Sequence, residues 1–178
     1  MATLPERMIG AMKADVRTFQ EIEQDPHAIG QAVVVIVIAA VSSFIGTMFV
    51  VGVSGGIMGL LGALLTYAVW TVIVVLLGTK VMPEPTTKAD FAEGFRVIGF
   101  AASPGVFNFL TVIPIVGYLV GWAISIWMLV LMVIAVRTVL DYASTARAVI
   151  VCLIGFCVYV ILYLVVLLPM LGIRLILG

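Results

Sequence analysis

The fold is decided by the stretch AIGQAVVVIVIAAVSSFIGTMFVVGVSGGIMGLLGALLTYAVWTVIVVLLGT, residues 28–79, in which 52 consecutive positions carry no Asp, Glu, Lys or Arg. Two further uncharged runs cover residues 97–136 and 148–173. The hydrocarbon core of a bilayer is about 30 Å thick, and about 20 apolar helical residues cross it. The three runs therefore predict two, two and one crossings, which makes five transmembrane helices.

The composition excludes an ordinary soluble domain. Hydrophobic residues make up 64% of the chain and charged residues 10%, and the mean hydropathy is +1.33. Charged residues account for about 25% of a typical soluble domain. The formal net charge is zero, so the chain lacks the basic excess that is typical of proteins that bind nucleic acid. We therefore expect membrane lipid, and not nucleic acid, as its surroundings.

The sequence predicts an all-α fold, a polytopic membrane bundle of five transmembrane helices preceded by an N-terminal amphipathic interfacial helix. Residues 1–26 are predicted to form the amphipathic helix and residues 27–178 the membrane domain. The predicted crossings lie at about residues 28–51, 57–79, 91–111, 115–136 and 148–168.

Glycine and proline residues set several of these bounds. A break at Gly52–Gly56 is expected to divide the longest run, because glycine lowers helix propensity and permits tight turns. Residues 113–117 are expected to form a second turn on the same side of the membrane, and Pro169 is expected to end the last crossing. Pro104 lies inside the third crossing, where a missing backbone N–H should bend the helix.

The distribution of charge predicts an orientation. The three charged clusters flank pairs of crossings and so lie on one face of the bilayer, which leaves Arg174 on the other. That face carries eight of the nine Lys and Arg residues. Because an excess of Lys and Arg marks the cytoplasmic side, we expect a cytoplasmic N-terminus and a C-terminus on the opposite side.

An apolar stripe runs along the N-terminal segment, with members that recur every three or four residues as on one face of a helix. The members are Met8, Met12, Val16, Phe19 and Ile22. Thr3 and Glu6 form a capping pattern at its start. The stripe could lie on the lipid surface, pack against the protein's own loops or dock a partner, because periodicity does not distinguish these uses. It is our candidate cytoplasmic docking surface.

Small residues recur every four positions on two predicted membrane helices. The two sets are Gly55, Gly59 and Ala63, and Gly117, Gly121 and Ser125. Such faces let helix backbones approach closely in a membrane, where hydrophobic burial gives no force between helices. They are candidate contacts within the bundle or with a partner.

Uncharged polar residues at membrane depth are the second candidate site. Asn108 and Ser103 on the third crossing are the strongest candidates, and further polar residues could extend a polar path. These are Gln31, Ser42, Ser43, Thr47 and Ser125. Hydrogen bonds between helices are the alternative use of such residues.

The sequence shows no catalytic or cofactor pattern. His27 is the single histidine, and no histidine or cysteine spacing indicates a metal site. Cys152 and Cys157 are about 140° apart around a helix and are expected to pack as small apolar groups. Glu93 and Arg96 are expected to form an i, i+3 pair at the headgroup level. We expect no enzyme activity, no cofactor and no metal.

Short motifs, in order along the chain, resemble the Yip domain family, the five-helix membrane proteins related to Ypt/Rab-interacting proteins. The motifs are Thr18-Phe19 and Asp25-Pro26, Gly99-Phe100-Ala101-Ala102-Ser103-Pro104, Ile113-Pro114-Ile115-Val116-Gly117, Ile126-Trp127, and then Arg137, Asp141, Ser144 and Arg147-Ala148. The resemblance is to a compact, prokaryote-like member and implies a cytoplasmic N-terminus in a prokaryotic inner membrane. Eukaryotic members are associated with Rab GTPases and vesicle traffic.

Three hypotheses for function follow. The first is a non-enzymatic accessory or scaffold subunit, or a homo-oligomer, that acts by association with other membrane proteins. The second is a passive channel, transporter or lipid-translocating bundle. The third, which the resemblance implies, is a membrane-trafficking adaptor that binds a small GTPase.

Overall fold

The computed structural model describes residues 2–113 and 116–177, and it describes no side chains for residues 48–61 and 166–177. Its elements are all helical in the described ranges. In chain order they are α1 (Leu4–Met12), α2 (Val16–Gln24), α3 (Ala28–Leu76), a π-helical turn (Leu77–Val81), α4 (Phe91–Phe100), a 3-10 helix (Ser103–Val112), α5 (Val116–Val139) and α6 (Thr145–Leu177).

The N-terminal segment is a helical hairpin of α1 and α2, and not the single helix that the sequence predicts. Ala14 adopts a left-handed conformation with φ of 59°, which ends α1. The Asp15 carboxylate then accepts hydrogen bonds from Arg17 N at 3.1 Å and Thr18 Oγ1 at 2.8 Å. These bonds satisfy donors at the start of α2 and begin a new helix. We call residues 4–24 the N-terminal hairpin.

Helix α3 includes the first predicted crossing and all but the last three residues of the second, and its two ends lie side by side. A Cβ added to Gly94 of α4 would lie 2.9 Å from Thr71 Cγ2, and one added to Gly99 would lie 2.9 Å from Ala32 Cβ. Gly94 and Gly99 are about 8 Å apart along α4, whereas Ala32 and Thr71 would be about 58 Å apart in a straight helix. The chain therefore reverses its direction within α3.

The reversal lies between two segments that are each long and apolar enough to cross a membrane, Ala28–Thr47 and Gly62–Val81. The predicted break at Gly52–Gly56 falls between them, among residues whose side chains are not described, and it stays a prediction. The second crossing ends in the π-helical turn at Val81, two residues beyond the predicted end.

The third crossing is broken, as the position of Pro104 predicts. Helix α4 ends at Phe100, and the 3-10 helix that begins at Ser103 is inclined to it by 42°. Pro104 occupies the first turn of the 3-10 helix, where its missing N–H leaves no helical bond unmade. The sequence did not predict that residues 103–112 would be a 3-10 helix, and a run of this length is uncommon.

The last two helices are longer than predicted. Helix α5 ends at Val139, three residues beyond the prediction. The predicted turn at residues 113–117 contains Pro114 and Ile115, which lie outside the described residues. Helix α6 begins at Thr145 and is assigned to Leu177, past the predicted end at Leu168, because a proline such as Pro169 is tolerated within membrane helices.

Four helical segments are long and apolar enough to cross a membrane. They are Ala28–Thr47, Gly62–Val81, Val116–Val139 and Thr145–Val165. The bent pair of α4 and the 3-10 helix gives a fifth crossing if it is one span. The fold is thus a polytopic helical bundle, and the side of the membrane on which its N-terminus lies stays a prediction.

Small residues form the centre of the bundle. Ala32, Ala39, Ala101 and Ala102 are all buried. A Cβ added to Gly105 would lie 2.7 Å from Ala39 Cβ, so the first half of α3 and the broken crossing are in close backbone contact. The second half of α3 packs on α6 and α5. There, Trp70 Nε1 donates to Met132 Sδ at 3.2 Å.

Candidate functional site

An open groove of about 660 Å³ lies between the first half of α3, the 3-10 helix and the start of α5. We call it the polar groove. It is lined by Ser43, Gly46, Thr47, Asn108, Thr111, Gly117, Tyr118, Gly121, Trp122 and Ser125. Both classes of sequence-predicted membrane site meet here, since Asn108 comes from the polar set and Gly117, Gly121 and Ser125 come from a small-residue face.

Serine side chains of α3 hold the 3-10 helix in place. Ser42 Oγ donates to the carbonyl oxygen of Val106 at 2.6 Å and accepts from Phe109 N at 2.8 Å. Asn108 Nδ2 donates to Ser43 Oγ at 2.8 Å. A 3-10 helix at membrane depth needs partners for its backbone groups, and these bonds supply several of them.

Two glycines bring the walls of the groove together. A Cβ added to Gly46 would overlap Thr111 Oγ1 and the carbonyl oxygen of Asn108. One added to Gly117 would overlap the backbone of Thr111. Thr111 Oγ1 itself donates to Asn108 O at 2.7 Å. The two glycines therefore serve contacts within the bundle. For Gly117 this is one of the two uses that the small-residue pattern left open, whereas Gly46 was not part of that pattern.

Gly121 and Ser125 have a different environment from Gly117. A Cβ added to Gly121 would make only an ordinary contact with Thr111 Cγ2, at 3.5 Å. Ser125 is exposed, and its hydroxyl donates to its own helix at Gly121 O. On the other small-residue face, Gly55 and Gly59 lie among residues whose side chains are not described, and Ala63 is half-buried.

Ser103 is separated from Asn108. It is 1% exposed and does not line the polar groove. Its hydroxyl donates to Phe100 O at 2.7 Å, which caps the end of α4 where the crossing breaks. Ser103 thus has a structural role in this fold, and the polar path expected from the sequence does not include it.

The apolar stripe of the N-terminal hairpin packs mainly against the protein itself. Phe19 and Ile22 are completely buried, and Val16 is 46% exposed. Met8 and Met12 are half-buried. Self-packing was one of the three uses that the stripe left open, and it leaves little of this candidate docking surface accessible in the structure.

Arg7 ties the N-terminal hairpin to the start of α3. Its side chain is 1% exposed and contacts Glu21 Oε1 at 2.9 Å and Asp25 Oδ2 at 2.7 Å. Its Nη1 also donates to Gln31 Oε1 at 2.9 Å. The Arg7 guanidinium, by its hydrogen bond, lowers the pKa of Asp25 from its usual value of 3.8. We call these four residues the Arg7 cluster.

Sequence reasoning missed the Arg7 cluster, although a signal was present. Leu4 and Ala11 share a helical face with Arg7 because they are three and four residues away. A cation on a buried face requires anionic partners. Glu21 on α2 and Asp25 just after its end are four residues apart, and they supply these anionic partners from the same side of the helix.

Two residues of the membrane helices bind backbone carbonyls of the hairpin. Arg96 Nη2 donates to Glu23 O at 2.6 Å, and Trp127 Nε1 donates to Met12 O at 2.9 Å. The expected pair of Glu93 and Arg96 does not form, because Glu93 caps α4 through the backbone N–H of Asp90.

Trp127 lies 12 residues before Val139, the end of α5, which is about 18 Å of helix. The hairpin therefore lies alongside the bundle rather than only at its end.

Groups that could carry chemistry remain apart. Within the described ranges, no cluster of three His, Cys, Asp or Glu residues could hold a metal ion. Cys152 and Cys157 are free thiols, as their angular separation predicts. The polar side chains described above bind the helices to one another, and the polar groove remains open beside them.

These features define a class of protein, a polytopic helical membrane bundle in which the bent pair of α4 and the 3-10 helix lies beside an open groove. The profile of the Yip1 domain matches residues 9–167, so the chain belongs to the Yip1 domain family. The match begins within α1, at residue 9, and includes all the helices that line the groove. No curated protein and no solved structure matches the chain significantly.

Proposed function

We propose that this protein is a non-enzymatic accessory or scaffold subunit that receives a transmembrane helix, from another membrane protein or from a second copy, in the polar groove. The observation that carries the proposal is the open position of Gly121 and Ser125 on a groove wall. Membrane helices associate through small residues that allow close backbone approach. Gly117 uses this property within the bundle, and the next two members of the same face remain accessible.

The rim of the groove supports the same proposal. Tyr118 is 78% exposed and Trp122 is 63% exposed, and both line the groove beside the small residues. Aromatic side chains bury large areas with few rotatable bonds and are enriched at the centres of protein interfaces. A helix seated on Gly121 and Ser125 would bring both rings into contact.

We expect Gly121→Leu to abolish association, because its side chain would project into the groove. The space at Gly121 accepts a Cβ at ordinary contact distance, so the variant should still fold. The test is gentle solubilisation of native membranes, followed by measurement of mass and copurifying membrane proteins. Leu129→Phe is the matched control, since Leu129 lies on α5, is 67% exposed and is not part of the groove lining. A wild-type protein that is monomeric and free of partners, or an unaffected Gly121→Leu complex, contradicts the proposal.

The second candidate is passive transport or lipid translocation along the same groove. The observation that favours it is Asn108, a polar residue on a 3-10 helix at membrane depth. Irregular helix at membrane depth is found where it lines a cavity or is buried in protein. The groove also resembles ligand pockets in having mainly apolar walls with a few polar groups.

Flux into liposomes tests this candidate directly. We expect purified protein to move ions or fluorescent lipid faster than empty vesicles, and Asn108→Leu to reduce the flux by removing the polar group from the groove. Asn108→Ser keeps a hydrogen-bonding group for Ser43 and is the control. Flux equal to that of empty vesicles excludes transport, and flux that is unchanged in Asn108→Leu excludes a route along Asn108; both outcomes leave the association proposal intact.

A further inference from the structure

The contact between the N-terminal hairpin and the membrane helices contains an unusual carboxyl group, Glu23. Its side chain lines a pocket of about 390 Å³ between α2 and the end of α5. The other lining residues are Val16, Gln20, Ile134, Arg137, Thr138, Asp141, Tyr142 and Thr145. Glu23 is half-buried, so docking of the hairpin withdraws its carboxyl group partly from water.

Like charges surround this carboxyl group from two other elements. Asp141, in the loop between α5 and α6, lines the same pocket as Glu23, and Glu93 of α4 also acts on Glu23 through its charge. Asp141 adopts a left-handed conformation with φ of 50°, a conformation that is uncommon outside glycine. Two carboxylates beside a third favour the neutral form of the one that is most buried.

The neighbouring cations do not neutralise Glu23 through a direct bond. Arg96 Nη2 donates a hydrogen bond to the backbone carbonyl oxygen of Glu23 and not to its carboxylate. The buried Nε of Arg96 has no hydrogen-bond partner among the described residues. Arg137 donates to Tyr142 O, Thr145 Oγ1 and Ala143 O. Arg7, which faces α2 from α1, is bound to Glu21 and Asp25. In the described ranges no hydrogen bond or ion pair reaches the Glu23 carboxylate.

We infer that the Glu23 pocket is a pH-sensitive latch, which holds the N-terminal hairpin on α4 and α5 when Glu23 is protonated and loosens it when Glu23 ionises. Loosening would uncover Phe19 and Ile22, the buried part of the apolar stripe. The inference is independent of the function proposed for the polar groove, because the pocket lies at the opposite end of α5.

The direction of the pH effect follows from the pKa. Burial, then the charges of Asp141 and Glu93, raise the pKa of Glu23 from 4.5 to about 7, while Arg96 acts in the opposite direction. A carboxyl group whose pKa is raised by docking stabilises the docked state at low pH. That stabilisation is fully present below pH 4.5, declines as the pH rises to about 7 and changes little above that, because Glu23 is then ionised in both states. The latch therefore loosens on the acid side of neutrality, as the pH rises towards about 7.

The Arg7 cluster behaves differently in the same pH range. Because the pKa of Asp25 is lowered from 3.8 by its hydrogen bond with Arg7, its stabilising effect is present above that value and is lost only in acid. Between about pH 5 and pH 7 the bond between α1 and Asp25 is thus constant. A change in this range reports the attachment of α2 to the membrane helices and not the integrity of the hairpin.

Amide hydrogen exchange of the intact protein in lipid nanodiscs tests the latch. After correction for the intrinsic pH dependence of exchange, we expect protection of residues 16–24 to fall between about pH 5 and pH 7, by at most about tenfold per pH unit for one linked proton, and to level off above that. Glu23→Gln, which is neutral at every pH, should keep the protection of the low-pH state throughout. Asp141→Asn removes a charge that raises the pKa of Glu23, so the midpoint of the change should move to lower pH.

Glu21→Gln is the matched control on the same helix. It weakens a contact of Arg7 and should reduce protection, but the dependence on pH should remain. The inference is overturned if corrected protection in the wild type is flat between about pH 5 and pH 7, or if Glu23→Gln retains the wild-type pH dependence.

Discussion

Replacing Arg7 with leucine is expected to lower the free energy of unfolding by about 3 kcal/mol, because removal of one partner leaves a buried charge without compensation. The Asp25 side chain is only 14% exposed and loses its cation, while Glu21, at 48% exposed, can turn to water. This places the cost at the lower end of the range for buried pairs. The amide of Gln31 loses its guanidinium donor as well.

The measurement is the unfolding transition of purified protein in one detergent, with helical circular dichroism as the signal. Arg17→Leu is the control, since Arg17 is exposed and surface substitutions usually change stability by less than about 0.5 kcal/mol. Arg7→Lys should be intermediate, because an ammonium group lacks the planar donor geometry that reaches three acceptors. Equal stability of Arg7→Leu and Arg17→Leu would show that the cluster does not hold the hairpin.

The number and kind of membrane segments could be predicted from the sequence because hydrocarbon excludes charge. Residues 28–79 could not form a soluble element without charges, and their length requires two crossings. The bend at Pro104 was equally predictable, since proline cannot donate the helical hydrogen bond. The exact ends of the helices were not, because apolar sequence on both sides of an end gives no local signal.

Some residues that line the polar groove could be predicted from the sequence, but the shape of the groove could not. Asn108 and Ser125 were singled out because polar groups at membrane depth have few uses. Asn108 and Ser125 line the same groove because residues 103–112 form a 3-10 helix. This helix has fewer residues per turn than an α-helix, so its side chains point in different directions. Nothing in residues 103–112 distinguishes the two helix types beyond the proline, so the sequence could not place Asn108 beside α5.

The N-terminal hairpin shows where pattern reasoning stops. The stripe that includes Phe19 and Ile22 left open whether lipid, the protein itself or a partner covers it, because periodicity does not identify what a helical face contacts. The turn at Ala14 depends on a left-handed conformation in a residue that rarely adopts it. Glu23 carries no sequence signal, because its surroundings come from α4 and from the loop after α5.

Gly46→Ala is expected to destabilise the bundle by about 1–3 kcal/mol, as overpacking of a filled contact does, and to separate the walls of the polar groove. The added methyl group would overlap Thr111 Oγ1 and the carbonyl oxygen of Asn108. Backbone atoms of the 3-10 helix cannot rotate away as a side chain can. The strain should therefore shift the 3-10 helix and weaken the bond from Asn108 to Ser43, so any activity of the groove should decline together with stability.

Gly30→Ala provides an internal control on the same helix. A Cβ at Gly30 meets nothing within 4 Å among the described residues, so this variant gains the helix propensity of alanine, up to about 1 kcal/mol, with no overlap. The two variants add the same atoms to α3 and differ only in what those atoms touch. In the same detergent, the unfolding transition should show Gly46→Ala to be less stable than the wild type and Gly30→Ala to be more stable. If Gly46→Ala is as stable as Gly30→Ala, the close contact between α3 and the 3-10 helix does not exist in the membrane.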